Sequence, residues 1–261
     1  MTQYFSEIKP HFIIAGFPKC GTSFLHLKVN EHNNIWMPDF EPVYFCTDFN
    51  ANSRYRNVKS YSQIFAKFKD SDNVVIGEKT SGYASSDFAM DGIFKYNKNT
   101  KIILTLRNPT DAVISYHNHN VRMGYETIMD LEDALLAQEK RKNENYKIPF
   151  FAKKEKKRFE YYNIYSFPKL IKKILTLFGK DNVKIILLDD IISNPQNVMD
   201  EIFLFLGVGR IEQSYAVENK TLPLVDHNNL KVRLFYCIHY SCIYIQNKES
   251  KNDFLKNQII R

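Results

Sequence analysis

The run His11–Leu25, HFIIAGFPKCGTSFL, constrains the fold more tightly than any other part of the chain. Phe12–Ala15 is a short apolar stretch with two isoleucines, the pattern of a buried strand. Gly16-Phe17-Pro18-Lys19-Cys20-Gly21 follows as a glycine-bearing turn, and Thr22-Ser23 open a helical pattern with residues that cap well. Strand, turn and helix start in that order form an anion cradle. Backbone N–H groups point into the turn, and the helix dipole favours negative charge there. Lys19 adds a mobile cation, and Thr22 and Ser23 add hydroxyl donors. The chemistry selects a phosphate.

Three further apolar runs read as strands: Asn73–Gly77, Lys101–Leu106 and Val183–Leu188, with Lys101–Leu106 central. Helical patterns occupy Thr22–His32, a stretch from Thr110-Asp111 through Ser115 and Tyr116, and Leu131–Lys142. Phe167–Phe178 is another, closed by Gly179, and Pro195–Leu206 is framed by its leading proline and Gly207. Tyr61–Phe68 reads as a short helix and Ile35–Phe45 as irregular. Strands alternating with helices predict an α/β fold with a central parallel sheet flanked by helices. The 261 residues, 44% hydrophobic, suffice for one core, and no repeat or low-complexity linker divides 1–261 into more than a single domain. In an open parallel sheet, ligands bind beyond the carboxyl ends of the strands. Lys19, Lys79 and Arg107 each stand one to four residues past such an end, so three cations distant in sequence are expected on one rim.

The first loop departs from the ATP-binding pattern G-x-x-x-x-G-K-[ST]. Gly16 and Gly21 have its separation and Ser23 its last position, but Thr22 stands where the lysine belongs and Lys19 precedes the second glycine. Pro18-Lys19-Cys20-Gly21-Thr22-Ser23-Phe24-Leu25 resembles instead the 5′-phosphosulfate loop of the sulfotransferases, P-K-x-G-T-[ST], which holds 3′-phosphoadenylyl sulfate (PAPS). A second segment, Arg107-Asn108-Pro109-Thr110-Asp111 through Ser115, pairs a strand-end arginine with a hydroxyl eight residues on. A guanidinium fork and a serine aimed at one point suit a phosphate dianion. This segment resembles the same family's 3′-phosphate motif, R-[ND]-P-x-[DE]-x-x-x-S. Its continuation His119–Gly124 is similar to bacterial and heparan-sulfate-type members.

The resemblance covers about residues 10–223, leaving 224–261 as a helical appendage, and implies a P-loop-containing nucleotide-binding fold. It implies donor contacts from Pro18, Lys19, Cys20, Gly21, Thr22, Ser23, Phe24, Arg107 and Ser115, with Lys220 covering the nucleotide. Met37–Phe45 resembles the family segment K-E-P-x-[FY]-F, with Phe40 in place of the lysine and Glu41 on the base. A carboxylate can accept the proton of an attacking hydroxyl or amine; Asp39 is the alternative acid, and His26, His32, His117 and His119 stay open as bases. Gly77–Tyr83 (GEKTSGY) is similar to G-E-K-[ST]-P-x-Y, with Ser81 replacing the proline and Lys79 on the phosphosulfate or the acceptor. The implied activity is in-line sulfonyl transfer from PAPS to a hydroxyl or amine of a glycan or small molecule, leaving adenosine 3′,5′-bisphosphate and needing no metal.

The formal charge of +7 suits an anionic partner without choosing one. A kinase reading rests on Ile185-Ile186-Leu187-Leu188-Asp189-Asp190, which imitates a magnesium-binding strand end. A glycan- or nucleic-acid-binding module would need a basic stripe, whereas acids are interspersed among the cations, so no nucleic-acid partner is expected. Lys153–Arg158 reads as a solvated helix face, with an acidic-acceptor groove as the alternative. Met1–Pro10 carries no apolar secretory run, and Val232–Ile245 is too short to span a membrane and holds Arg233 and His239. It reads as a core helix, with peripheral membrane contact as the alternative. Four cysteines, Cys20, Cys46, Cys237 and Cys242, are too few for a disulfide framework and point to a reducing cytoplasm.

Overall fold

β1 (Phe12–Ile14) lies at the middle of the molecule with all three residues buried. The two-residue period of a strand sends Ile13 to one face and Phe12 and Ile14 to the other, so both faces must be covered. Two core clusters do this: Ile13 joins Ile102, Leu104 and Leu106, while Phe12 and Ile14 join Leu25, Ile103 and Phe203. A computed structural model describes residues 8–46, 48–49, 57–68, 73–144 and 146–215. Lys220, the 224–261 appendage and the Val232–Ile245 stretch therefore lie outside the described residues.

The sheet runs β2 (Ile35–Trp36), β3 (Val75–Lys79), β1, β4 (Lys101–Leu106), β5 (Val183–Leu187), every neighbouring pair parallel. Phe12 is in register with Gly77 on one side and Lys101 on the other. The carboxyl ends of β3, β1 and β4 therefore open on one rim. α1 (Thr22–Asn30), α2 (Val58–Ser62), α3 (Ala89–Tyr96), α4 (Pro109–Arg122), α5 (Leu131–Leu136) and α6 (Gln138–Asn143) come next in chain order. α7 (Tyr161–Ile164), α8 (Phe167–Phe178), α9 (Leu188–Ser193) and α10 (Pro195–Leu206) complete the described helices. α4 starts where its sequence says: Asn108 accepts from the Thr110 and Asp111 amides, and Pro109 occupies the first turn.

The structure differs from expectation at five places. β2 lies inside the segment read as irregular, and two residues are too few to show a period. β3 extends two residues further than NVVIG suggests, so Lys79 is the last residue of a strand rather than part of the following loop. The amphipathic stretch 131–142 is two helices broken at Ala137, and the run expected as one short helix over 61–68 is α2 followed by a tighter 3₁₀ turn, Gln63–Phe68. Lys153–Arg158 is no solvated helix face. Lys156–Phe159 is a 3₁₀ turn in which buried Lys157 meets Asp87 at 2.7 Å and Glu160 at 3.3 Å, and Arg158 meets Glu155 at 2.7 Å.

The same region holds a fully buried ion pair that no local pattern announces. Arg141 grips Glu126 with both terminal nitrogens, at 2.7 and 2.6 Å, and the Tyr161 hydroxyl donates to Glu126 at 2.8 Å. Burial pushes the Glu126 carboxyl up, but the Arg141 and Tyr161 donors outweigh it and hold it below its ordinary range. Removing one partner strands the other charge in the interior. Arg141→Ala is expected to destabilise the fold by about 3–5 kcal/mol in urea denaturation. A loss below about 1 kcal/mol would show that water reaches Glu126 after all.

Candidate active site

The loop after β1 is shaped by close approach. A Cβ on Gly16 would run into the side chains of Thr22 and Thr105, so the backbone passes directly beneath the start of α1 and across β4. Gly21, at φ 93, and Lys19, at φ 62, both take the left-handed conformation. For Lys19 this is an uncommon conformation in a non-glycine residue, and here it falls in a ligand loop. The loop is pinned from behind: the Tyr165 hydroxyl donates to the Pro18 carbonyl at 2.9 Å, and Arg107 Nη1 reaches the Lys19 carbonyl at 3.5 Å.

Lys19 and Arg107 thus meet on one rim. Burial lowers the Lys19 ammonium below the usual lysine range, and the positive charges of Arg122 and Arg107 lower it further. His119 responds to the same field. Burial first, then Lys19, Arg158 and Arg122, push its imidazole down to about 4, so it is neutral at physiological pH. Burial accounts for most of both shifts, and the cations add to it, so the rim is one of closely spaced positive charges.

The remaining predicted loop residues divide by role. Cys20 and Thr22 are buried, and burial pushes the Cys20 thiol up to about 12, so it packs rather than reacts. Ser23 is exposed on the first turn of α1, and Phe24 sits beside the Tyr215 ring, with centroids 6.4 Å apart. Ser115, His119 and Arg122 recur at helical spacing along α4 and so share one stripe of it. Arg122 and Arg158 had no place among the expected site residues. The i, i+4, i+7 spacing from Ser115 could have revealed Arg122, whereas Arg158 arrives from a distant 3₁₀ turn, within the basic run 153–158 whose alternative reading is an acidic-acceptor groove.

Beside this cation cluster lies a carboxylate. Glu41 accepts from Lys79 Nζ at 2.6 Å, from the Ser81 hydroxyl at 2.7 Å and from the Ser81 amide at 3.0 Å. Its side chain is 31% exposed while that of Lys79 is 9% exposed, so the acid faces solvent over a buried cation. Ser81, which stands where the motif has proline, supplies two of the three donors. Asp39 is exposed and lies close enough to His26 to act on its charge. Behind Lys79, Glu78 is fully buried; burial pushes its carboxyl up to about 7, against the pull of the Tyr61, Thr80 and Tyr83 hydroxyls.

The histidines sort by position. His26 Nε2 is 2.7 Å from the Pro38 carbonyl and close to Glu41 and Lys79, and burial lowers its pKa. His32 reaches the Gly209 carbonyl at 2.8 Å, and its other nitrogen accepts the Asn34 amide at 3.0 Å. His117 lies buried against the Ile128 carbonyl at 2.9 Å. Among these four, His119 shares the rim with Lys19. Asp189 and Asp190 open α9 rather than ending a strand, and Asp189 is exposed, so the magnesium-site imitation does not take shape.

A parallel α/β sheet with a glycine-bearing anion loop after its first strand, and cations gathered at the strand ends, defines a nucleotide- or phosphate-handling domain. Residues 9–258 match the family model described as the sulfotransferase domain. The chain therefore belongs to the sulfotransferase family. A solved sulfotransferase from Alicyclobacillus acidocaldarius superposes with a TM-score of 0.72 over 90% of this chain and 92% of its own, at 23% identity, a likeness in fold. The membrane-associated sulfotransferase kil1 of Dictyostelium discoideum is 27% identical over 114 residues, 43% of this chain and 23% of its own length. The bifunctional heparan sulfate N-deacetylase/N-sulfotransferase 4 of Mus musculus is 29% identical over 115 residues, 42% of this chain and 13% of its own. The chain thus spans less than a quarter of the length of these curated relatives. No helix among the described residues is long and apolar enough to cross a membrane.

Proposed function

We propose that the chain transfers a sulfonyl group from PAPS to an acceptor hydroxyl or amine, the acceptor being a carbohydrate or glycan-containing molecule. The observation that carries this reading is the meeting of Lys19 and Arg107, 88 residues apart, around one loop under shared positive potential. The residues present suit such a donor: a loop closed to any Cβ at Gly16, N–H groups at the start of α1, and cations able to grip two separate phosphates. Lys19 and the loop 18–24 would take the 5′-phosphosulfate, and Arg107 with Ser115 the 3′-phosphate, with Lys220 covering the nucleotide. The glycan assignment draws on the heparan sulfate enzyme among the relatives. The buried thiols Cys20 and Cys46 suit a cytoplasmic setting.

In the reaction, the acceptor oxygen or nitrogen bonds to sulfur as the bond from sulfur to the 5′-phosphate oxygen breaks. The electron pair goes to that phosphate oxygen and the acceptor proton to Glu41. Lys19 neutralises the growing charge on the leaving phosphate, and Lys79 keeps Glu41 in place.

The binding test compares three ligands on the full chain: adenosine 3′,5′-bisphosphate without metal, ATP with magnesium, and an oligonucleotide. Tight binding of the first alone supports the reading; preference for ATP with magnesium would return it to a kinase. The same titration has a spectroscopic arm. Burial lowers the His119 pKa most, but negative charge placed near Lys19, Arg158 and Arg122 relieves the repulsion that adds to it, so the pKa is expected to climb from about 4 by about one unit. The bound state then holds more protons, and affinity tightens as pH falls through the range between the free and bound pKa values. Imidazole NMR of His119 with and without the bisphosphate checks this; an unmoved titration would place the ligand elsewhere.

A further inference from the structure

Glu78 plays no part in the transfer step described above, yet it is a fully buried carboxylate one residue from Lys79. Three hydroxyls donate to it: Tyr61 at 2.7 Å, Thr80 at 2.9 Å and Tyr83 at 3.2 Å. A hydroxyl has a single proton, so one that donates to Glu78 offers only lone pairs to its other neighbours. Two of the three use them on the same segment. Thr80 Oγ1 accepts the Val43 amide at 3.3 Å, and Tyr83 Oη accepts the Phe45 amide at 3.4 Å. This is the segment that begins with Glu41.

Val43 sits at φ 53, a conformation that a β-branched residue adopts only when its surroundings impose it. The imposed backbone bend lies two residues after Glu41, whose carboxylate is met from the other side by Lys79 and Ser81. Glu78 and Lys79, neighbours on β3, thus reach the two ends of one short segment by separate routes.

We propose that Glu78 is a positioning residue for Glu41: its carboxylate sets the direction of the Thr80 and Tyr83 hydroxyls, which hold the Val43 and Phe45 amides and keep Glu41 against Lys79 and Ser81. The catalytic consequence rests on the reading of Glu41 as base. A displacement of the base by about 1 Å can cost on the order of a hundredfold in rate, while the bonds that tie 80–84 to Ile14, Ala15 and Gly16 run through backbone amides rather than through the Glu78 carboxylate.

Glu78→Gln, assayed at alkaline pH where Glu78 is ionised, is the direct test in the full chain, because an amide presents N–H groups where the carboxylate only accepted and forces a hydroxyl to turn. It is expected to lower kcat about 10- to 100-fold, with the affinity for adenosine 3′,5′-bisphosphate within about twofold and faster amide exchange at Val43 and Phe45. Thr80→Val, which removes one bridging hydroxyl, should repeat part of the loss, and Thr80→Ser, which keeps it, should retain activity. If Glu78→Gln does not fold, the Thr80 pair decides alone. Wild-type kcat and unchanged exchange in Thr80→Val would overturn the proposal. Glu41→Gln is measured alongside: full turnover there removes the base reading, whereas an inactive Glu41→Gln beside a fully active Thr80→Val overturns the positioning role alone.

Discussion

Lys19→Ala is expected to lower kcat by about 10²–10³, some 2.7–4 kcal/mol of transition-state stabilisation. The size follows from where the ammonium sits. It is partly buried among Arg107 and Arg122, in a site where a charge is screened less than in water. Burial first, and then that crowding, hold the Lys19 pKa down, and arriving negative charge offsets both. Charge on the bridging oxygen is greater in the transition state than in the bound donor, so kcat should fall more than affinity for PAPS, while the bisphosphate, which carries that charge in full, should also bind more weakly. Single-turnover transfer with labelled donor, together with donor binding, separates the two effects. A variant within about threefold of wild-type kcat would transfer the role to Arg107 or Arg122 and undo the loop assignment.

Glu41→Gln is expected to cost about 10²–10⁴ in kcat, the ordinary range for losing a positioned base. Glutamine keeps the shape and can still accept from Ser81, so the loss should isolate proton transfer from folding. The bisphosphate affinity is expected to stay within about threefold, since Glu41 is engaged by Lys79 and Ser81 rather than by Lys19 or Arg107. Turnover at the wild-type rate would pass the role to His119, whose neutral imidazole at physiological pH leaves a nitrogen able to accept. Bisphosphate binding measured on the same preparation tells a misfolded variant from an inactive one.

Much of the layout could be read before any coordinates. The apolar runs at 12–15, 101–106 and 183–188 become β1, β4 and β5 because each is long enough, and β-branched enough, to declare a strand buried on both faces. The gathering of Lys19 and Arg107 followed from one topological rule, that parallel strands point their carboxyl ends the same way. What stayed hidden depended on partners far away in the chain. β2 exists because Val75 and Ile76 offer it an edge. Lys157 looked like one of a row of surface lysines until Asp87, 70 residues earlier, came to meet it. Arg141 read as the polar face of an amphipathic helix, yet it is buried because Glu126 and Tyr161 wait there. Charge in a sequence carries no address, so buried ion pairs are the last features to become legible.

The stripe on α4 has a consequence for how this fold can diversify. Ser115, His119 and Arg122 are spaced along a single rigid rod, about 10 Å from first to last at 1.5 Å per residue. An inserted or deleted residue between them would swing everything downstream by about 100° around the axis and dissolve the alignment. That rod is therefore a ruler that tolerates exchange of letters but not of length. Variation in what is sulfated has to come from irregular ground away from it, around 146–155, where the backbone can grow or shrink without turning the gauge.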